Sequence, residues 1–198
     1  MKGQRYAEAE IPTAHGPFRV VVYRFGPEDE EHLAVVKGDV AGGEAVLARV
    51  HSECLTGEVL GSLKCDCREQ LEAAMEAIAD VGKGVIVYLR QEGRGIGLGN
   101  KIRAYALQAE GKDTVEANLA VGFAPDLRSY EMAAHILGDL GVTSVALMTN
   151  NPEKLKGLAD AGVNVVAHVP HWVGRHEHNQ DYLEVKRLKL GHLEGNAK

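Results

Sequence analysis

The cysteines of this chain lie close together in the sequence. Cys54, Cys65 and Cys67 are the only thiols among 198 residues. An odd number of cysteines cannot close into disulfides without leaving one thiol over, whereas three thiolates and one open position form a catalytic zinc site. Charged residues flank Cys65 and Cys67, and charged neighbours disfavour burial in an apolar core. The spacing therefore predicts a metal site, with three unrelated core thiols as the alternative.

A histidine near the first cysteine decides what kind of metal site this would be. His51 lies shortly before Cys54 and offers a fourth ligand, which would make the site closed and structural. Residues 49–53, however, also supply a hydroxyl and a carboxylate after a strand predicted over residues 45–50. Groups of this kind are better suited to contact a bound substrate than to complete a structural metal site, so an open, catalytic zinc site is the favoured interpretation.

Composition and charge limit the partners of the chain. Hydrophobic residues make up 45% and charged residues 25%, and the length fits one compact domain with a C-terminal extension over residues 170–198. The net charge of -6 disfavours binding to a nucleic-acid duplex, although a few cations in one cleft can still bind a small anion. No apolar run reaches the length of a signal peptide or a membrane span. We therefore expect a cytoplasmic protein with no nucleic-acid or membrane partner.

Hydrophobic periodicity predicts the elements that must position these residues. The predicted strands cover residues 18–25, 33–36, 45–50, 84–89, 144–148 and 163–169. Predicted helices cover residues 67–81, which Gly82 ends, then 102–107, 128–140, 151–161 and 180–190. Strands come first, and strand and helix then alternate. This order predicts an α/β fold: a mixed sheet covered by helices, strand-rich in its N-terminal part, in a single compact domain.

A glycine-rich segment follows the strand predicted over residues 84–89. Its four glycines stand at every second position of residues 93–99, which does not match the G-x-G-x-x-G fingerprint of dinucleotide-binding folds. Glycines still allow backbone amides to approach a ligand closely, while Glu92 offers an acceptor and Arg94 a cation. A turn with solvated charges is the alternative.

A predicted helix start at Asn151 offers a phosphate site. Asn151 is a favourable N-cap and Pro152 a favourable first helical residue, so the segment is expected to present unpaired backbone N–H groups. Lys154 would add positive charge and Thr149 a hydroxyl, as phosphate binding at a helix N-terminus requires. An ordinary cap with a solvated lysine is the alternative.

Taken together, these segments resemble GTP cyclohydrolase II, the enzyme that opens GTP at the first step of riboflavin synthesis. The resemblance runs through nearly the whole chain. It is carried by residues 49–57, the Cys65-Asp66-Cys67 motif, residues 70–72, 90–96, 100–107, 114–118, Gly122-Phe123, Asp126 with Arg128, residues 149–152, and Asn179, Tyr182, Leu183, Lys186, Lys189, Gly191 and His192. One position departs from the family: many relatives have glycine after the last cysteine, where this chain has Arg68.

The resemblance implies a zinc ion in each subunit, held by Cys54, Cys65 and Cys67 with water as the fourth ligand, and magnesium on the triphosphate. It implies that GTP contacts Arg49, Val50, His51, Ser52, Glu53, Gln70, Glu92, Gly93, Arg94, Thr114, Thr149 and Lys154. Asp126 is implied as a proton acceptor, Arg128 as the nucleophile at the α-phosphate, and Tyr105 as a group that helps move protons. Because a guanidinium stays protonated, clamping of the transition state is the alternative role of Arg128. A homodimer is also implied.

The implied reaction is zinc-dependent hydrolysis of GTP at C8 of guanine. It releases formate and pyrophosphate and leaves 2,5-diamino-6-(5-phosphoribosylamino)pyrimidin-4(3H)-one. Three alternatives stand beside it: a family member that stops at the formyl intermediate, a zinc nucleobase deaminase, and a zinc-stapled module that binds a nucleotide without turning it over. The sequence lacks the Pro-Cys-x-x-Cys pair that deaminases usually carry.

Overall fold

The computed structural model describes residues 3–111, 114–124, 126–174, Asn179 and Glu184. Its strands are β1 (Gly3–Thr13), β2 (Gly16–Phe25), β3 (Glu30–Lys37), β4 (Val46–Ser52), β5 (Gly84–Leu89), β6 (Val145–Met148) and β7 (Val165–Val169). Its helices are α1 (Leu55–Glu58), α2 (Cys67–Val81), α3 (Gly97–Ala109), α4 (Thr114–Ala120), α5 (Glu131–Asp139) and α6 (Pro152–Asp160). A 3-10 turn (Glu92–Gly95) separates β5 from α3.

The strands form one mixed sheet in the order β1-β2-β3-β5-β4-β6-β7. The pairs β1–β2, β2–β3 and β3–β5 are antiparallel, whereas β4 pairs in parallel with β5 and β6, and β6 in parallel with β7. The predicted α/β class, the mixed sheet and the strand-rich N-terminal part are confirmed. Since β4, β5 and β6 are parallel neighbours, their carboxyl ends meet at one edge, where ligands bind in open α/β sheets.

Helices cover both faces of the central strands. Val85 and Val87 of β5 belong to a core that includes Ala133 and Ile136 of α5, whereas Ile86 packs on the opposite face with Ala74 and Ile78 of α2. Alternate residues of one strand thus enter different cores, which explains why β5 is apolar at successive positions instead of every second one. This two-sided packing fixes the strand ends that carry the candidate site.

The structure corrects several predicted boundaries. The helix predicted from residue 128 begins at Glu131, because the backbone N–H of Arg128 donates to Asp126 Oδ1 (3.0 Å) and Ser129 Oγ accepts from Glu131 N (3.4 Å). The last strand begins at Val165 instead of residue 163. The helix predicted over residues 102–107 is longer at both ends. The helix predicted over residues 180–190 lies outside the described residues, apart from Glu184.

Hydrophobic periodicity does not predict three of the elements. Strand β1 is almost wholly exposed and pairs only with β2 among the described strands, so it carries no apolar alternation. Helices α1 and α4 are too short to show a helical period.

Arg68, the departure from the family pattern, fits within the first turn of α2 and pairs with Glu72 there (3.0 Å). None of the helices in the described part of the chain has the length and apolarity that a membrane crossing requires.

Candidate active site

A cleft opens at the carboxyl ends of β4, β5 and β6. The predicted site residues that line it are Arg49, His51, Ser52, Glu53, Cys54, Cys65, Cys67, Gln70, Glu92, Gly93, Arg94, Tyr105, Arg128, Thr149 and Lys154. Two predicted residues do not line it: Val50 is buried in the core, and Asp126 is exposed and pairs with Arg128. The side chain of Thr114 lies outside the described residues. One cleft therefore collects residues that are spread over more than a hundred positions of the sequence.

The three cysteines converge at one end of this cleft. Their Sγ atoms all lie within 4.8 Å of one another, with 3.6 Å between Cys54 and Cys65. Ligands about 2.3 Å from a tetrahedral zinc ion stand roughly 3.8 Å apart, so this spacing fits the ion. Cys54 caps α1 and Cys67 begins α2, so two helix starts aim the thiols at one point. Three soft thiolates form the donor set that zinc prefers.

A glycine makes the convergence possible. A Cβ atom on Gly57 would lie 2.9 Å from the Sγ of Cys65 and 3.3 Å from that of Cys54. Real Cβ atoms almost never approach a sulfur so closely. The backbone of α1 can therefore pass beside the thiol cluster only because residue 57 has no side chain.

Hydrogen bonds among the thiols shift the pKa values of Cys54 and Cys65 in opposite directions. Bonds from Cys65 and Cys67 hold the pKa of Cys54 well below its usual range, and the ammonium of Lys101 adds to this effect. The bond to Cys54 raises the pKa of Cys65 to about 11. A metal ion that binds all three sulfurs must therefore displace protons, so its affinity depends on pH.

Beside the thiols, a buried carboxylate organises a histidine. Glu58 Oε1 accepts from the backbone N–H of Cys54 (2.9 Å) and lies 2.8 Å from Nε2 of His51, and Glu58 Oε2 accepts from the Tyr88 hydroxyl (2.5 Å). Burial lowers the pKa of His51, so its ring is neutral. A carboxylate can only accept, so Nε2 carries the proton and Nδ1 presents a lone pair.

A second network links β4 to α2. The buried guanidinium of Arg49 donates to the Met148 carbonyl (2.9 Å) and to Gln70 Oε1 (2.5 Å), while the Gln70 amide donates to Asp66 (2.6 Å). Burial lowers the pKa of Arg49 to about 10, which leaves the group cationic near neutral pH. The network holds a positive charge beside the loop that carries Cys65 and Cys67.

The glycine-rich segment forms a strained turn above the thiols. Gly93 and Arg94 both have φ of 62°, a left-handed conformation that side chains rarely adopt. The Glu92 carboxylate accepts from the backbone N–H groups of Gly93 and Leu55 (2.7 Å each) and from Lys101 (2.8 Å). Glu92 therefore anchors the turn to the segment that begins helix α1. Because its carboxylate is buried and hydrogen-bonded, the alternative interpretation of this segment, a turn with solvated charges, is wrong for Glu92.

Asp126 and Arg128 form a bidentate ion pair. Arg128 Nε lies 2.9 Å and 3.1 Å from the two carboxylate oxygens of Asp126. Burial alone would raise the pKa of Asp126, but the hydrogen bonds from Arg128 hold it below its usual value. The Leu127 backbone N–H donates to the Arg94 carbonyl (3.0 Å), which ties this segment to the glycine-rich turn.

The helix start at Asn151 is partly as predicted. Asn151 Oδ1 accepts from Glu153 N (3.0 Å), so the N-cap is confirmed. The N–H groups of Asn151 and Lys154 also have partners, so the expectation of unpaired amides is wrong for residues 151, 153 and 154. Lys154 is buried and its ammonium donates to the Val50 carbonyl (2.7 Å), which rules out a solvated lysine.

Several cleft residues bury polar atoms that the protein does not satisfy. Six buried side-chain polar atoms among the described residues have no hydrogen-bond partner, and four of them belong to the cleft: Arg49 Nε, His51 Nδ1, Ser52 Oγ and Gln91 Oε1. Native proteins rarely leave such atoms unpaired. A bound ligand would satisfy them.

Comparison with protein families adds the deciding observation. Residues 4–170 match the family model described as GTP cyclohydrolase II. The chain belongs to the GTP cyclohydrolase II family. It is thereby a hydrolase of riboflavin biosynthesis.

Two relatives named GTP cyclohydrolase-2 agree with this membership. The GTP cyclohydrolase-2 of Actinobacillus succinogenes is 53% identical over 191 residues, which cover 96% of this chain and 88% of the relative. That of Escherichia coli O9:H4 is 53% identical over 193 residues and 98% of both chains. Riboflavin biosynthesis protein RibBA of Bacillus cereus is 54% identical over 189 residues, 96% of this chain and 48% of the relative. Among solved structures, RibBX, a two-domain 3,4-dihydroxy-2-butanone 4-phosphate synthase from A. baumannii, matches with 25% identity and a TM-score of 0.49 over 84% of this chain and 40% of that chain.

Sequence reasoning missed cleft residues of this family member that have no motif of their own. Gln91 and Lys101 are buried polar residues that line the cleft, and Glu58 contacts the cleft residue His51 from behind the lining. The sequence offers no signal for Glu58, because helix α1 is too short to be predicted. Gln91 and Lys101 flank the glycine-rich segment, where charged or amide side chains are equally compatible with solvent.

Proposed function

We propose that the protein is a zinc-dependent GTP cyclohydrolase II that opens the guanine imidazole ring and removes pyrophosphate. In this reaction water adds twice at C8, which breaks the bonds to N9 and N7 and releases formate. A further water cleaves the bond between the α-phosphorus and pyrophosphate. The observation that carries the proposal is the convergence of Cys54, Cys65 and Cys67 on one point of a cleft that also holds buried cations.

The thiol end of the cleft is the proposed site of ring opening. Cys54, Cys65 and Cys67 would hold zinc, which supplies a hydrolytic nucleophile near neutral pH. Tyr105 lines the same end of the cleft, with the ammonium groups of Lys64 and Lys101 at 5.3 Å and 5.6 Å from its ring centroid. We assign Tyr105 the transfer of protons during ring opening.

The purine is proposed to bind against the unsatisfied acceptors. His51 Nδ1 is fixed as an acceptor by Glu58, and Gln91 Oε1 is fixed as an acceptor because its amide nitrogen donates to the Ser129 carbonyl (3.0 Å). Guanine offers N–H donors at N1 and at its 2-amino group, whereas adenine presents an acceptor at N1. Two locked acceptors therefore favour guanine over adenine.

The cations that line the cleft are proposed to bind the triphosphate. Arg94, Arg128 and Lys154 supply the positive charge that phosphoryl transfer requires, together with magnesium on the nucleotide. Asp126 would accept a proton and Arg128 would attack the α-phosphorus or clamp it. A guanylyl adduct that is trapped in the parent protein but not in Arg128→Lys supports attack, and no adduct under any quench supports the clamp.

A product assay tests the proposed function. Purified protein is incubated with GTP, zinc and magnesium, and formate, pyrophosphate and the diaminopyrimidine are measured. Equal amounts of all three support the complete reaction. Pyrophosphate without formate identifies a member that stops at the formyl intermediate, and release of ammonia identifies a deaminase. Binding of GTP without any product identifies a nucleotide-binding module.

We also propose that the protein is a cytoplasmic homodimer. Val59, Leu60 and Leu63 lie between Cys54 and Cys65 and are more than half exposed, which is unusual for large apolar residues so close together. A second copy that covers them would complete the surface near the metal site. Light scattering of the purified protein measures its oligomeric state.

A further inference from the structure

One lysine is enclosed between a cysteine and a carboxylate. The Nζ atom of Lys101 lies 3.1 Å from Cys54 Sγ and 2.8 Å from Glu92 Oε1, and the residue is 8% exposed. Nothing in the reaction described above uses this ammonium. Its burial needs a reason, because a lysine in a protein interior loses its hydration.

An ordinary ion pair with Glu92 does not account for this placement. A buried ion pair contributes little net stability, since the cost of desolvation offsets the attraction. Glu92 also has two backbone donors already, from Gly93 and Leu55. The other hydrogen bond of Lys101 goes to the sulfur of Cys54, one of the three thiols that converge.

The glycine-rich turn is built to admit the lysine. A Cβ atom on Gly93 would lie 3.1 Å from Cβ of Lys101, and the turn reaches this approach with a φ of 62° at Gly93. Helix α3 then carries Lys101 and, one turn later, Tyr105 into the same cleft. The strained turn and the helix thus bring a fixed cation to the edge of the thiol cluster.

We propose that Lys101 is a positioning residue for the metal centre, and that it acts by donating a charge-assisted hydrogen bond to the thiolate of Cys54. This inference rests on the proposed zinc site. Three thiolates and a divalent ion carry one net negative charge, which the adjacent ammonium offsets. Glu92 holds the ammonium in place and thereby acts on the metal centre without contacting it.

The hydrogen bond has two physical consequences for the metal centre. It lowers the energy of the Cys54 thiolate, so the anion forms more readily and the metal binds more tightly. It also withdraws electron density from that sulfur, so the thiolate donates less to the metal and the ion stays a stronger Lewis acid than three unmodified thiolates would allow. Outer partners of metal ligands typically change metal affinity about 10–100-fold.

Cobalt(II) as a spectroscopic probe tests the inference. Metal-free protein and its Lys101→Met variant are titrated with Co²⁺, and the sulfur-to-cobalt charge-transfer bands are recorded. Without the hydrogen bond the sulfur lone pairs rise in energy, so the bands of the variant move to lower energy. Competition with a chelating dye is expected to show about 10–100-fold weaker zinc binding in the variant, and Lys101→Arg is expected to restore both properties in part.

Lys64→Met is the matched control. Lys64 also places its ammonium over the Tyr105 ring, but among the described residues the lysine that donates to Cys54 is Lys101, so the removal of Lys64 is expected to leave the bands and the zinc affinity unchanged. Unchanged bands and affinity in a folded Lys101→Met protein overturn the inference while the zinc site stands. Absence of charge-transfer bands in the parent protein overturns the zinc site itself. Should circular dichroism show that Lys101→Met does not fold, Lys101→Gln is measured in the same way.

Discussion

Glu58 shows how one buried side chain can determine the chemistry of its neighbours. It accepts from Cys54, Tyr88 and His51 at once, so it holds the start of helix α1 at Cys54, keeps a phenol protonated and fixes the tautomer of an imidazole. Burial and the bond to Glu58 together raise the pKa of Tyr88, which keeps that hydroxyl a donor. This arrangement leaves the lone pair of His51 Nδ1 available to accept a hydrogen bond from a ligand.

At this scale we predict that Glu58→Gln weakens nucleotide binding. A neutral amide is a weaker acceptor than a carboxylate and has one oxygen instead of two, so the bond that fixes the tautomer of His51 weakens and Nδ1 becomes a poorer acceptor for the base. The loss of one hydrogen bond, about 1–1.5 kcal/mol, corresponds to a roughly tenfold higher Kd. Calorimetry with a GTP analogue that carries a methylene between the α- and β-phosphorus measures this value.

The control is Glu72→Gln, which removes an exposed carboxylate that pairs only with Arg68 among its described contacts. Its Kd is expected to match that of the parent protein. Equal affinity in parent and Glu58→Gln would show that His51 does not depend on Glu58 for binding.

At the scale of elements, the site depends on how short helices meet strand ends. Helix α1 has only four residues, yet it turns the chain after β4 so that Cys54 faces the loop of Cys65. The close approach requires a residue without a side chain at position 57. Sequence periodicity could not find this element, because four residues are too few to show a period.

We predict that Gly57→Ala lowers zinc affinity and leaves the fold intact. The added methyl group would displace the sulfurs of Cys54 and Cys65 by several tenths of an ångström, which a tetrahedral site does not tolerate. Gly138→Ala is the matched control, since a Cβ atom there meets nothing within 4 Å in helix α5. Chelator competition compares the two variants, and equal zinc affinities would contradict the assigned role of Gly57.

At the scale of the whole molecule, the sequence predicted the α/β class and the mixed sheet but not every element, and it missed some buried polar residues of the cleft. Apolar runs predicted β2 to β6 because those strands carry the core, and β7 because its Val165 packs against it, whereas β1 is almost wholly exposed and gave no signal. The three cysteines alone were enough to predict a metal site, because three thiols in one loop have few other uses. Lys101 and Gln91 could not be found in this way, because their burial arises only when the glycine-rich turn folds onto the cysteine loop.

Global stability is predicted to fall in mild acid. His32 on β3 is fully buried, and burial lowers its pKa to about 4, below the usual value of 6.5. The unfolded chain therefore binds a proton between these two pH values that the folded chain does not, so stability declines as pH falls through this range. We expect His32 to contribute about 1–2 kcal/mol of this loss between pH 6.5 and 5.

Urea unfolding at a series of pH values measures this dependence. His32→Gln is expected to flatten the slope between pH 6.5 and 5, even if it is less stable at neutral pH. His15→Gln, at an exposed turn between β1 and β2, is expected to leave the slope unchanged. An identical slope in His32→Gln and the parent protein would contradict the assignment.

The central claim is that three sulfurs hold the metal on which ring opening depends. Elemental analysis of active, untagged protein tests it most directly, combined with formate release from GTP before and after the metal is removed. We predict about one zinc per chain, loss of formate release on removal with the fold retained, and recovery when zinc is returned. Formate release at the full rate from protein without stoichiometric metal, or from a variant with Cys54, Cys65 and Cys67 replaced by serine, would contradict the account.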